Sequence, residues 1–197
     1  MEKELINKAI QNSIEVKKKI FQDNNISAAM ERIVKEMIKA FREGKKVLFC
    51  GNGGSAADAQ HLAAELSGKF YLDREPLPAE ALHVNTSYLT ATANDYSFNE
   101  VFARLVRGTG KEGDILVGIS TSGNSANVIR AIEEAKKKGM LIVGFTGEGG
   151  GKMKEICDYL INIPTTDTPR IQEAHILVGH IICELVEKEI FGEVETV

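Results

Sequence analysis

Residues 46–61, KVLFCGNGGSAADAQH, carry the pattern that decides the fold. The apolar run KVLFC is followed by a loop of small residues and then by a segment typical of a helix. A short apolar run without alternating polar residues indicates a strand that is buried on both faces. Four similar runs follow it: EALHV (80–84), DILVGIS (114–120), LIVGFTG (141–147) and YLINIP (159–164). We therefore predict five parallel strands.

Polar or amphipathic segments of helix length separate these runs. They predict helices over about 55–68, 86–106 with a break at Asn94 and Asp95, 125–138, 150–157 and 169–191. Parallel strands need crossover connections, and helices then cover both faces of the sheet. The expected fold class is therefore α/β, a doubly wound five-stranded parallel sheet in a flavodoxin-like three-layer sandwich.

An N-terminal helical hairpin is expected to precede the sheet. Apolar residues recur at helical spacing before and after a break at residues 23–25, and the second stripe ends near Gly44. A chain of 197 residues fits one hydrophobic core. We expect a single domain over residues 1–197, with residues 1–44 as the hairpin.

Composition and charge favour a small-molecule partner. Hydrophobic residues make up 43% and charged residues 26%, which is ordinary for a globular protein, and the formal net charge is −4. This charge gives no overall positive field for nucleic acid, and no apolar segment is long enough for a bilayer. Three cysteines without a CxxC pair suit reduced thiols. We expect a cytoplasmic protein with no nucleic-acid or membrane partner.

The loop after the third predicted strand is a candidate phosphate site. Ligands of open parallel sheets bind outside the carboxyl ends of the strands. Residues 120–125, STSGNS, place four hydroxyl side chains and a glycine there, just before a helix whose free N–H groups favour an anion. In the alternative interpretation Ser125 is only a helix N-cap and the other residues form a turn.

The loop after the first strand, Gly51–Ser55, favours a polyol over a nucleotide. It lacks the GxGxxG spacing of dinucleotide sites and the lysine of a Walker A loop. Asn52 can both donate to and accept from sugar hydroxyls. The alternative is a tight turn capped by Ser55, with Asp58 in the first helical turn.

Two predicted helices carry candidate metal ligands. His61 and Glu65 are four residues apart and so share a helix face, while Gln172 and His180 are eight apart on the last helix. Two imidazoles, a carboxylate and an amide oxygen suit zinc or a similar divalent ion. His175 lies farther around the last helix and is a candidate structural histidine. A core polar network without metal is the alternative.

These motifs resemble those of the phosphoheptose isomerase family of the sugar-isomerase (SIS) superfamily. The similar segments are CGNGGSAADAQHLAAELSGKF (50–70), ATANDYSFNEVFARLV (91–106), GISTSGNSANVIRAIEEA (118–135) and TPRIQEAHILVGHIICELVE (168–187). With the helical N-terminus, the resemblance covers nearly the whole chain.

The resemblance implies a role for each matching residue. The implied ligands of one Zn²⁺ per subunit are His61, Glu65, Gln172 and His180. Glu65 and His180 also match the family's acid/base pair. The implied substrate-binding residues are Asn52, Gly53, Gly54, Glu65, Asn94, Asp95, Ser120, Thr121, Ser122, Ser125 and Gln172. The loop of residues 120–125, called the serine loop below, is expected to hold the phosphate.

The implied activity is isomerisation of sedoheptulose 7-phosphate to D-glycero-D-manno-heptose 7-phosphate through an enediol. This is the first step towards ADP- or GDP-heptose, a precursor of lipopolysaccharide or S-layer glycans, and it needs no redox cofactor. The resemblance also implies a homotetramer with sites near subunit interfaces. The alternatives are a non-catalytic SIS tetramer that binds the replication initiator protein and a sugar-phosphate-sensing domain of a regulator.

Overall fold

The computed structural model of the chain describes residues 1–192. The α-helices and strands of these residues have the following bounds: α1 (Glu2–Gln22), α2 (Asn24–Arg42), β1 (Val47–Gly51), α3 (Gly54–Ser67), β2 (Ala79–Ala81), α4 (Thr86–Asp95), α5 (Val101–Thr109), β3 (Ile115–Ile119), α6 (Ala126–Lys137), β4 (Leu141–Thr146), β5 (Tyr159–Asn162) and α7 (Thr168–Phe191). Short 3-10 helices span Phe98–Glu100 and Gly151–Glu155.

The five strands form one parallel sheet in the order β2-β1-β3-β4-β5. Every residue of β1 and β3 is buried, as the continuous apolar runs predicted. The chain order reverses direction between β1 and β3, so the switch point where such sheets bind ligands lies between their carboxyl ends. The predicted doubly wound α/β fold is confirmed.

Helices cover both faces of the sheet and divide the core into two clusters. The cluster on one face includes buried residues of α1, α2, α3 and α7, such as Ile20, Ile33, Leu62 and Val178. The cluster on the other face includes buried residues of α5 and α6, such as Phe102 and Ile132, and α4 packs against it through Leu89. The elements that carry His61 and His180 therefore lie on the same face of the sheet.

The predicted boundaries differ from the structure at two elements. Residues 150–157 were predicted as an α-helix and form a short 3-10 helix, because Gly150 and Gly151 have left-handed backbone angles (φ 71° and 53°) that an α-helix does not use. The strand predicted at 80–84 ends at Ala81. Asn85 caps α4 by accepting from Tyr88 N–H, so the chain leaves the sheet before His83.

Among residues 1–192, no helix combines the length and the apolar character that a bilayer span requires. The three thiols are free, and Cys50 and Cys183 are buried. Burial raises the pKa of each of these two thiols to about 12, so both stay protonated at neutral pH. Neither thiol is thus suited to act as a nucleophile.

Candidate functional site

The loops after β1 and β3 are joined at the switch point by a pair of amides. Asn52 donates from Nδ2 to Oδ1 of Asn127, and Asn127 donates back to Oδ1 of Asn52, with both distances 2.8 Å. Asn127 lies in the first turn of α6 and is only 3% exposed. Asn52 was predicted to bind substrate, whereas Asn127 was not identified from the sequence. The pair fixes the two candidate substrate loops relative to each other.

Helix α3 starts differently from the capped turn considered from the sequence. Its N-cap position is occupied by Gly53, which has a φ of 55° that favours glycine, and no side chain caps the helix. Ser55 lies inside the first turn and is buried, so the alternative in which it caps the helix does not describe this loop. The N–H groups at this helix start are therefore not occupied by a capping side chain.

The serine loop has the arrangement expected of an anion site. Ser120 is hydrogen-bonded through Oγ to Oγ of Ser125 at 2.9 Å and of Ser122 at 3.4 Å. Ser125 occupies the N-cap position of α6, yet its side chain makes no capping hydrogen bond. The alternative in which Ser125 serves only as a cap therefore does not describe the loop. Three hydroxyl groups converge beside a helix N-terminus that favours negative charge.

The chain after β4 supports the serine loop from the side. Met153 N–H donates to the carbonyl of Gly123 at 3.1 Å, and Lys152 N–H donates to Oδ1 of Asn124 at 3.0 Å. Gly123 has a φ of 65°, and a Cβ atom on it would collide with the carbonyl of Gly150. Beside this contact a cavity of about 240 Å³ is lined partly by Thr121 and other hydroxyl side chains.

Three of the four predicted metal ligands converge. His61 Nε2 lies 2.9 Å from His180 Nε2 and 2.9 Å from Glu65 Oε1. One ligand atom from each of the three residues lies within 4.8 Å of the other two. The His61 side chain is 50% exposed and that of Glu65 is 22% exposed, so solvent and a substrate can reach them. Two imidazoles and a carboxylate are suitable donors for a divalent ion such as zinc.

The fourth predicted ligand, Gln172, lies near the beginning of α7, where α7 packs against the beginning of α3. A Cβ atom built on Gly54 would lie 2.5 Å from Nε2 of Gln172, so the amide packs directly on the loop after β1. Farther along, a Cβ atom on Gly179 would lie 2.5 Å from Cδ1 of Leu62. These contacts show that α3 and α7 run side by side in the same direction. Gln172 therefore borders Gly54, a predicted substrate residue.

The remaining predicted residues are placed elsewhere. Asn94 and Asp95 are exposed at the end of α4, on the opposite face of the sheet from α3 and α7, and Asn94 donates to Oδ1 of Asp95 at 2.9 Å. Within residues 1–192 no hydrogen bond or ion pair joins Asn94 or Asp95 to the cluster of His61, Glu65 and His180. Their role in substrate binding stays a prediction.

His175 has the surroundings of a structural histidine. Its ring is fully buried, and Nε2 is 3.1 Å from the carbonyl of Thr146 at the end of β4. Burial lowers the pKa of His175 to about 4. The hydrogen bond to the Thr146 carbonyl raises this pKa, but by less than burial lowers it. The imidazole is therefore neutral at pH 7 and donates to the end of the strand.

Asp58 is a further carboxyl group near the cluster that the sequence interpretation did not assign to the site. It lies one helical turn before His61 on α3 and is half-buried. Burial raises the pKa of Asp58 to about 6, and the nearby His61 opposes this shift. Its Oδ2 atom is buried without a hydrogen-bond partner among the described residues.

Comparison with known proteins identifies the family. The SIS domain model matches residues 10–147. A phosphoheptose isomerase of Clostridium acetobutylicum is 54% identical over 191 residues, which is 97% of each chain. The solved structure of a phosphoheptose isomerase from Neisseria gonorrhoeae is 41% identical, with a TM-score of 0.90 over 95% of this chain and 100% of that one. The corresponding structure from Francisella tularensis is 35% identical, with a TM-score of 0.91 over 95% and 99%.

The relative from Clostridium acetobutylicum and the two solved structures each match this chain over nearly their full length, and the two structures share its fold. The chain belongs to the SIS-domain family and, within it, to the phosphoheptose isomerases.

Proposed function

We propose that the chain is an aldose-ketose isomerase that converts sedoheptulose 7-phosphate into D-glycero-D-manno-heptose 7-phosphate, the first step towards nucleotide-activated heptose. The observation that carries this proposal is the convergence of His61 and Glu65 of α3 with His180 of α7. Two relatives that are 54% and 52% identical to this chain, over 97% and 92% of its length, are named phosphoheptose isomerases. A purely binding protein has no need of such a polar cluster.

The reaction moves a proton between adjacent carbon atoms and another between their oxygen atoms. In the proposed mechanism the Glu65 carboxylate removes the proton from C1 of the ketose, giving an enediol, and returns it to C2. His180 transfers the proton from the oxygen at C1 to the oxygen at C2. Well-placed acid and base groups contribute about 10² to 10⁴ in rate. The serine loop would hold the phosphate and so fix the position of C1 and C2.

The same cluster is the proposed zinc site. His61, Glu65 and His180 would hold the ion, and Gln172 is proposed as the fourth ligand on the basis of the family resemblance. When bound, zinc supplies Lewis acidity that polarises a carbonyl oxygen. Because a cation favours the unprotonated forms of its ligands, metal binding and proton transfer compete at Glu65 and His180.

The chain is further proposed to be a cytoplasmic homotetramer that acts on its sugar phosphate without a nucleic-acid or membrane partner. Free, buried thiols suit a reducing compartment. On the N-terminal half of α1, Leu5, Ile6 and Ile10 are each more than half exposed. An apolar stripe of this kind indicates a surface that another subunit covers.

An isomerase assay with sedoheptulose 7-phosphate, run before chelation, after chelation and after return of zinc, tests the proposed activity. We expect turnover to be present, to be lost on chelation and to be restored by zinc, because the ion polarises the carbonyl. Absence of turnover in all three states would contradict the isomerase assignment. Turnover that survives thorough chelation would contradict the metal assignment alone.

Replacing Glu65→Gln tests the proposed base. The amide keeps the shape of the side chain but cannot accept the carbon-bound proton, so kcat should fall by about 10² to 10⁴. Circular dichroism should show an unchanged fold. Glu112→Gln, an exposed glutamate in the turn before β3, is the matched control and should keep wild-type kcat. Near-normal turnover in the Glu65 variant would remove this residue from the base role.

Light scattering at micromolar protein concentration tests the assembly. The exposed apolar stripe of α1 predicts association, and the expected mass is that of four chains. Replacing Ile6→Glu and Ile10→Glu together should lower this mass, because two charges in a buried contact are costly. A wild-type monomer would rule the tetramer out.

A further inference from the structure

A buried ion pair ties the chain after α3 to the end of α7. Arg74 Nε lies 2.8 Å from Glu187 Oε1, and the two side chains are 3% and 1% exposed. Glu187 also accepts the backbone N–H groups of Phe70, Tyr71 and Leu72 at 3.1, 2.8 and 3.1 Å. Burial raises the pKa of Glu187, but these hydrogen bonds together outweigh burial and leave it below its usual value. The carboxylate is therefore charged and fully partnered.

The other N–H groups of Arg74 bind the end of α3. Nη2 donates to the carbonyl of Glu65 at 2.9 Å, and Nη1 donates to the carbonyls of Leu66 at 2.7 Å and Gly68 at 3.1 Å. The last carbonyls of a helix lack partners within it, and a cation at this end is favourable. The guanidinium thus caps the helix at Glu65 itself, the residue proposed as base and metal ligand.

The same anchored segment also reaches His180. The ring centroid of Phe70 lies 5.5 Å from that of His180. The backbone of Phe70 is held by Glu187, which lies two turns after His180 on α7. One carboxylate therefore fixes contacts to both helices of the cluster, through Arg74 to the Glu65 backbone and through Phe70 to the His180 ring.

We propose that Arg74 and Glu187 are positioning residues that set the relative placement of α3 and α7, so that His61, Glu65 and His180 converge on one ion. Neither residue is proposed to contact the substrate or the metal. The inference rests on the proposed zinc site for its functional consequence, but the geometry that it predicts can be measured without zinc. Residues that orient metal ligands typically change metal affinity by about 10- to 100-fold when replaced.

Two variants separate positioning from folding. Arg74→Lys keeps the positive charge opposite Glu187. The single ammonium group of lysine, however, lacks the planar set of N–H donors with which the guanidinium binds three carbonyls at the end of α3. Glu187→Gln keeps the shape but removes the charge that balances Arg74. Both should raise the zinc dissociation constant of the folded protein at least about tenfold. Both should also lower kcat by at least about tenfold while KM stays within about twofold, because the serine loop is untouched.

The matched controls are Arg107→Lys and Glu100→Gln. These two residues also form an ion pair, at 2.7 Å, but their side chains are 45% and 23% exposed, and they lie among the elements on the opposite face of the sheet. Both controls should keep the zinc affinity and kcat of the wild type, because partly exposed ion pairs contribute little and neither residue lies on α3, on α7 or in the segment from Phe70 to Arg74. A loss in the controls as large as in the Arg74 and Glu187 variants would contradict a specific positioning role.

A crystal structure of the Arg74→Lys variant decides the inference independently of the proposed function. We expect the His61 Nε2 to His180 Nε2 separation to grow by about 1 Å, a displacement that can cost 10²-fold in rate. An unchanged separation would overturn the inference. So would unfolding of both variants, since the pair would then serve the whole fold. A wild type that binds no zinc counts against the proposed function, and the crystal structure still tests the positioning.

Discussion

The close approach of α3 and α7 is the constraint on which the site depends. Gly179 has no side chain at the point where Leu62 packs, and a Cβ atom there would lie 2.5 Å from the Leu62 methyl carbons. His61 and His180 are the chain neighbours of these two residues, and their Nε2 atoms are 2.9 Å apart. Because packed interiors leave little free space, the missing side chain at position 179 allows the two helices to come this close.

The parallel sheet places the proposed substrate-binding loops, which follow β1 and β3, at one edge. The Asn52 and Asn127 amides join the loop after β1 to the start of α6, and the loop after β4 holds the serine loop through the Gly123 carbonyl. In the proposed reaction these loops anchor the phosphate and hydroxyl groups of the sugar while the two helices present the acid, the base and the ion. Binding energy from the distant phosphate can thereby orient the reacting carbons.

Much of this arrangement could be predicted from the sequence, because it follows from local rules. Continuous apolar runs marked the five strands, and helical periodicity placed His61 and Glu65 on one face. The pairing of α3 with α7 could not follow from spacing, since it depends on tertiary packing between Leu62 and Gly179. Residue type made His180 a candidate ligand, the family resemblance implied the same role, and the structure brings it to His61.

The residues that the sequence did not reveal act through tertiary contacts. A charged residue near the end of a helix is usually exposed, so nothing in residues 168–191 distinguishes Glu187 as a buried anchor for a distant loop. In the sequence, Asn127 likewise looks like any polar residue of an amphipathic helix, and only the structure shows its amide pairing with Asn52. Residues 150–157 had a helical composition, but left-handed glycines at their start limited them to a 3-10 helix.

The most direct test of the helix contact is the zinc affinity of Gly179→Ala, measured with that of Gly108→Ala. Gly108 is also a helical glycine, but a Cβ atom there meets nothing within 4 Å. Alanine favours a helix over glycine by about 1 kcal/mol, so neither variant should lose helix content. The account predicts that Gly179→Ala weakens zinc binding at least about tenfold while Gly108→Ala leaves it unchanged. Equal, wild-type affinity in both variants would contradict it.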